Sequence, residues 1–148
     1  MSTGDPFSYG ASNCPFSQLL AGTDTTAASL SWFILYMIRF PEVQRKCQQE
    51  IDKVTDAQGE LVNVVTNKRF PFTTAALLET QRISSIAGAG LPHAVRQDTT
   101  LGGYRVSKGS IVTANIRFLH TDRRYWENPG DFRPERWLDP TDASQVVQ

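Results

Sequence analysis

The run "LLAGTDTTAASLSWF", residues 19–33, sets an aspartate and three threonines behind a glycine inside an otherwise apolar stretch. On a helical wheel, the residues three and four positions either side of Thr25 are Ala21, Gly22, Ala28 and Ser29, all of them small. Leu30, Phe33, Ile34 and Met37 recur at helical spacing on another face, where they are expected to pack against the body of the protein. The helix therefore has a dense side and a shaved side, with Asp24 and Thr25 at the shaved one. Glycine in a helix interior costs roughly 0.5–1 kcal/mol relative to alanine, so Gly22 needs a reason, and close approach of another surface is the usual one. That surface is either a bound group or a neighbouring helix, with Thr25 in the second case bonded back to its own backbone.

Working outward, Pro15 can open this helix and Pro41 closes it, because the residue before a proline is pushed out of helical geometry. A membrane span over residues 19–40 is disfavoured: Asp24 alone would cost ~2.5–3.5 kcal/mol at a bilayer centre. Its apolar portion, residues 27–38, also falls short of the ~20 residues a span needs. A second helix is expected over residues 42–54, with Val43, Cys47, Ile51 and Val54 inward and "QRK" and "QQE" facing water. Residues 56–69 show no pattern and read as a loop. A third helix is expected over residues 73–86.

After "AGAG" the texture changes to β-branched residues punctuated by glycines. Gly102-Gly103 between Leu101 and Tyr104 is a two-residue hairpin signal, and a further strand is expected over residues 111–115. The aromatic- and proline-rich tail reads as irregular or short-helical. The expected fold class is mainly α with a small antiparallel β-sheet.

At 148 residues, 40% of them apolar, this is one domain's worth of globular chain. Fifteen basic and fifteen acidic side chains cancel, which argues against nucleic acid or an anionic surface as partner. Cys14 and Cys47 have neither metal-ligand nor paired spacing and read as free thiols. Residues 1–15 have no basic start and no apolar stretch, so they are no secretory signal.

The third helix carries a second anomaly. Ala75, Ala76, Ile83 and Ile86 outline an apolar stripe, and Glu79 and Arg82 fall inside it. Burying charge is expensive unless every group is bonded. A guanidinium that grips a carboxylate bidentately still has donors left. Either a further charged group completes the cluster, or the pair sits partly exposed at the edge of the stripe.

Together these motifs resemble the cytochrome P-450 haem-thiolate monooxygenases of the microsomal animal type. "AGTDTT" is similar to the oxygen-activation motif of the family's long central helix, and "FPEVQRKCQQEIDKV" to the helix after it. "ETQR" matches the family's Glu-x-x-Arg, and the stretch from "LPHAVRQDTT" to "PERWLDP" matches its sheet and meander. The resemblance covers residues 16–140 and implies a divergent segment over 1–15, a partial domain over 16–140 and a tail over 141–148.

By resemblance, Asp24 and Thr25 serve the distal side of a haem, where dioxygen is activated, through hydrogen bonding and proton relay. Ala21 and Gly22 leave room there. Glu79, Arg82 and Arg136 form a structural triad, so that Arg136 is the third partner of the charged pair. His93 donates to a haem propionate, or is a loop histidine bonded to backbone. His120 reads as structural. The family's cysteine ligand lies in a glycine-rich loop beyond the Pro-Glu-Arg motif, and neither Cys14 nor Cys47 stands in that context, so no metal ligand is expected in this chain.

The resemblance further implies a parent enzyme that inserts one oxygen atom from O2 into a lipophilic small molecule. Its electrons would come from an NADPH-dependent flavoprotein reductase, and an N-terminal anchor would hold it at the cytosolic face of the endoplasmic reticulum membrane. The isolated chain is expected to be inactive, and molten or aggregation-prone. The competing class is a non-catalytic helical interaction module or a pseudogene product.

Overall fold

A computed structural model describes residues 15–58 and 70–146. Among these residues three α-helices come first: α1 (Pro15–Arg39), α2 (Pro41–Gln58) and α3 (Pro71–Ser84). The chain then forms four short strands, β1 (His93–Ala94), β2 (Thr99–Leu101), β3 (Tyr104–Val106) and β4 (Ile111–Val112). A helix α4 (Ile116–Thr121) and a 3₁₀ helix over Pro134–Trp137 follow.

Pro41 ends α1 and also starts α2, since its missing N–H is an orphan at a first helical position anyway. Phe40 is thus the whole joint: its amide donates to the Tyr36 carbonyl at 2.9 Å and its own carbonyl accepts from Val43 at 3.0 Å. Helix α2 runs to Gln58, past the expected end at residue 54. The rest of the expected loop, 59–69, lies outside the described residues.

The core is small. Met37, Val43, Cys47 and Ala76 are buried together, with Phe33, Tyr36, Phe40, Phe72 and Phe132 packed around them. Phe132 of the tail stacks on Tyr36 at 4.5 Å and on Phe40 at 5.0 Å between centroids, which ties the meander to α1. Three expectations for this layer are corrected. Leu30 and Ile34 do not pack inward but remain 55% and 58% exposed, because the described residues reach only the last turns of α1. Ile51 is likewise exposed. The "QQE" run does not all face water either. The Glu50 carboxylate accepts from the Phe72 and Thr73 amides at 2.9 and 2.8 Å and from the Thr73 hydroxyl at 2.6 Å. With Phe70 at its N-cap, α3 has no side-chain cap of its own, so α2 supplies one.

Helix α3 ends on Ser85 in left-handed geometry at φ 40°, two residues earlier than expected, and Ile86 lies exposed beyond it. Its buried residues are Ala75, Ala76, Glu79, Thr80 and Arg82, with Ile83 only half-buried. The two alanines let neighbours approach closely while the charged pair fills the interior.

The β region is two separate antiparallel ladders rather than one sheet: β1 with β4 and β2 with β3. Gly102 and Gly103 turn the β2–β3 hairpin with φ 57° and 86°, the positive values that a two-residue turn of this kind requires. Beyond β4 the expected strand stops at Val112. Asn115 caps a helix instead, its side-chain oxygen accepting from the Phe118 amide at 2.9 Å.

Candidate functional site

On α1 the small-residue flank faces outward. Ala21, Gly22, Asp24 and Thr25 are exposed, and Ala28 and Ser29 are half-buried. A methyl group added at Gly22 would meet nothing within 4 Å. The hydroxyls fold back: Thr25 Oγ1 donates to the Ala21 carbonyl at 2.8 Å, Thr23 to Leu19 at 2.6 Å, and Ser29 to Thr25 at 2.8 Å. Of the two surfaces that could explain Gly22, the second is therefore half present. Thr25 does bond to its own helix, but no neighbouring helix lies against Gly22 among the described residues. The flank is open, with a carboxylate beside a hydroxyl whose oxygen can still accept a hydrogen bond.

The second constellation is buried. Glu79 and Arg82 sit at 0% and 1% exposure. Arg82 grips the carboxylate with Nε to Oε2 and Nη2 to Oε1, both at 2.9 Å. Arg136 Nε donates to Oε1 at 3.0 Å, so the three residues named from the sequence meet in one cluster. The remaining donors of Arg82 go to main-chain carbonyls, Nη1 to His120 at 2.7 Å and Nη2 to Pro129 at 2.9 Å, and its plane lies over the Trp126 ring at 4.9 Å. Burial alone would push Glu79 up. The bonds from Arg82, the Arg133 amide and the Trp137 indole outweigh it and hold the carboxyl below the usual glutamate range. Among the described residues no buried side-chain nitrogen or oxygen lacks a partner. The cluster can fasten α3 to the meander. Every nitrogen of the Arg82 and Arg136 guanidiniums is bonded within the protein.

Sequence reasoning missed the Arg133 amide and the Trp137 indole, which reach Glu79 at 3.0 and 2.9 Å. Trp137 directly follows Arg136, which marks an aromatic near the cluster but not where its N–H points. His93 stands exposed on β1 opposite Val112, and no bond joins it to α1 among the described residues. His120 closes a local lock. The Ser85 hydroxyl gives its one hydrogen to the Arg82 carbonyl at 2.7 Å, so the 3.1 Å contact to His120 Nδ1 requires Nδ1 to donate. Burial holds this imidazole below the ordinary histidine value, with the nearby Arg82 charge acting in the same direction.

A planar prosthetic group fits the α1 flank in one respect and not in another. The face is bare enough to lie against a flat ring, as the open space at Gly22 indicates. Among the described residues no thiolate stands on that face. Cys47 is buried in the α1–α2–α3 core, where desolvation raises its thiol, and Cys14 lies outside the described residues. No group of three or more metal-binding side chains occurs among the described residues, and no helix among them is long and apolar enough to cross a membrane. Among the described residues it is the α1 flank that would lie against such a planar group.

Comparison with known proteins places this geometry. The family model for cytochrome P450 matches residues 6–147. Cytochrome P450 2L1 of Panulirus argus is 40% identical over 119 residues, covering 80% of this chain and 24% of the relative. Cytochrome P450 2U1 of Homo sapiens is 37% identical over 129 residues, covering 87% and 23%. Steroid 21-hydroxylase of Lynx lynx is 33% identical over 130 residues, covering 86% and 26%. A solved zebra fish cytochrome P450 structure with progesterone superposes with a TM-score of 0.78 at 30% identity, over 88% of this chain and 31% of that one. Another, with abiraterone, gives 0.75 at 34% identity, over 82% and 30%. The chain thus spans about a quarter of the length of the curated relatives it matches. The helices and the two small antiparallel ladders form part of the fold those structures share, and with the family match running over nearly every residue, the chain belongs to the cytochrome P450 family.

Proposed function

We propose that the chain is a piece of a haem-dependent monooxygenase that inserts one oxygen atom from O2 into a lipophilic small molecule. The observation that carries this reading is the open flank of α1, where Asp24 and Thr25 stand beside a glycine that nothing covers, in a chain of this family. Haem, bound in the parent protein, supplies the oxidative chemistry. Ala21 and Gly22 give the room. Thr25 keeps its hydrogen on the Ala21 carbonyl and presents its oxygen as an acceptor, and Asp24 is the carboxylate through which a proton is passed. His93 is assigned to a haem propionate, which its exposed imidazole leaves it free to meet. Glu79, Arg82 and Arg136 serve as the structural triad of the partial domain over residues 16–140.

The parent's partners are an NADPH-dependent flavoprotein reductase and O2, and its location is the cytosolic face of the endoplasmic reticulum membrane through an N-terminal anchor. Progesterone in one similar structure and the steroid named in one relative support a lipophilic substrate and go no further. Because neither Cys14 nor Cys47 stands in the family's ligand-loop context, the 148-residue chain mixed with haem is expected to give no thiolate-type carbon monoxide difference spectrum, and appearance of that spectrum would refute its inactivity. The exposed apolar face of α1 favours a second reading, a non-catalytic interaction module or pseudogene product. The transcript beyond Gln148 separates the two: an in-frame Phe-x-x-Gly…Cys loop supports the enzyme, and a stop codon supports a fragment or pseudogene product.

A further inference from the structure

The turn after β3 carries a hydroxyl that the fold leaves unused. Ser107, Lys108, Gly109 and Ser110 form this turn, closed by the Ser110 amide on the Ser107 carbonyl at 3.1 Å, with Gly109 at φ 85°. Along the helices hydroxyls are turned back on the main chain, as at Ser29, Ser31, Thr55 and Thr121. Ser107 is exposed, and its hydroxyl has no partner among the described residues. Two cations flank it, Arg105, whose side chain is 79% exposed, and the exposed Lys108. We propose that Ser107 is a phosphorylation site for an arginine-directed protein kinase, and that its phosphate draws Arg105 away from Asp98.

Access and charge single out this residue. A kinase that selects a basic residue beside its target needs a free hydroxyl, a nearby cation and a backbone it can reach. Ser110, the other serine of the turn, is half-buried, and its carbonyl accepts from the Val95 amide at 2.9 Å. Thr99 and Thr100 lie within the β2–β3 ladder, paired with Val106 and Arg105. In the transfer, a bond forms between Ser107 Oγ and the γ-phosphorus of ATP as the bond from that phosphorus to the ADP oxygen breaks. ADP leaves, and the hydroxyl proton passes to the kinase. The product carries a charge of about −1.5 to −2 at neutral pH. Asp98 is the group it competes with. One oxygen of that carboxylate accepts from the Lys108 amide at 2.8 Å, the other from Arg105 Nη2 at 3.3 Å. The second bond is long and exposed on both sides, so it holds Arg105 weakly. A phosphate two residues away is within reach of that long side chain and attracts it more strongly than a carboxylate does. Losing the bridge, with the phosphate repelling Asp98, loosens the open end of the hairpin.

The test is incubation of the full 148-residue chain with an arginine-directed serine/threonine kinase and magnesium ATP, for wild type, Arg105→Gln, Ser107→Ala and Ser110→Ala, with the modified residue located by mass spectrometry. Phosphate should settle chiefly on Ser107, about tenfold more slowly in Arg105→Gln, the scale of one charged contact, and at an unchanged rate in Ser110→Ala. No labelling, labelling chiefly at another residue, or a rate indifferent to Arg105 would each overturn the proposal. Phosphorus NMR of the modified chains reads the shift of Arg105. The second ionisation of phosphoserine, ordinarily at about pH 6, should lie lower in wild type than in Arg105→Gln carried to full modification by longer incubation. Equal values overturn the predicted move from Asp98. Both readouts are local to residues 98–110, so they hold whether or not the chain unfolds cooperatively.

Discussion

Glu79 illustrates how far a single position can depend on its surroundings. In the sequence it is one acid among fifteen, and only its place inside an apolar stripe singles it out. In the fold every lone pair is engaged, and removing it would strand Arg82 at 1% exposure. Glu79→Ala should therefore cost about 3–5 kcal/mol, the scale of breaking a buried pair from one side, read as a loss of urea resistance at neutral pH. Gly90 is a second such position, and it gives no warning in the sequence. Its φ is 69°, and an added methyl would lie 2.4 Å from the Ala114 carbonyl oxygen. Gly90→Ala should destabilise by about 1–3 kcal/mol in the same measurement, whereas Gly22→Ala, with open space around it, should not destabilise. His120 sets a pH dependence. Its folded value is depressed, so its contribution to stability is full above about pH 6.5 and is lost as the pH falls through the folded value. Urea midpoints should decline over that window in wild type and stay flatter in His120→Gln.

At the scale of elements, the joints decide more than the helices. Helix α3 begins with Phe70 and Pro71, which cannot cap it, and depends on Glu50 across the α2–α3 contact. Glu50→Ala should cost about 1–2 kcal/mol and speed amide exchange at Phe72 and Thr73, the two amides it holds. The helices themselves were legible from spacing and prolines, because helix periodicity and the φ restriction of proline are local. The Gly102-Gly103 hairpin was legible for the same reason. Helix α4 was not. Its residues, "IRFLHT", continue a β-branched run, and the deciding bond is the Asn115 cap, a side-chain contact that competes with strand geometry only once the chain has turned.

Across the whole molecule, the balance is between a satisfied polar hub and an uncovered apolar helix. Leu30, Ile34, Leu35 and Ile38 are 49–69% exposed along α1, and each side chain left unburied forgoes up to about 1.5–3 kcal/mol. The isolated chain should bind a hydrophobic dye and self-associate, and Ile34→Lys together with Ile38→Glu should reduce both without lowering the urea midpoint. A sharp two-state melt of a dye-silent monomer would contradict that picture. In a longer relative, a bulky side chain seated on Ala21, Gly22 and Ala28 would contradict the haem-facing reading of the flank. From the sequence alone came the helical order, the hairpin, the shaved face beside Thr25 and the demand for a partner to Glu79 and Arg82. These depend on residue spacing and on the cost of burying charge, which operate within a few residues of chain. Only the tertiary structure decided which donors complete that cluster, that α2 caps α3, and that the dense face of α1 stays open, because each depends on groups far apart in the chain meeting, or failing to meet, in space.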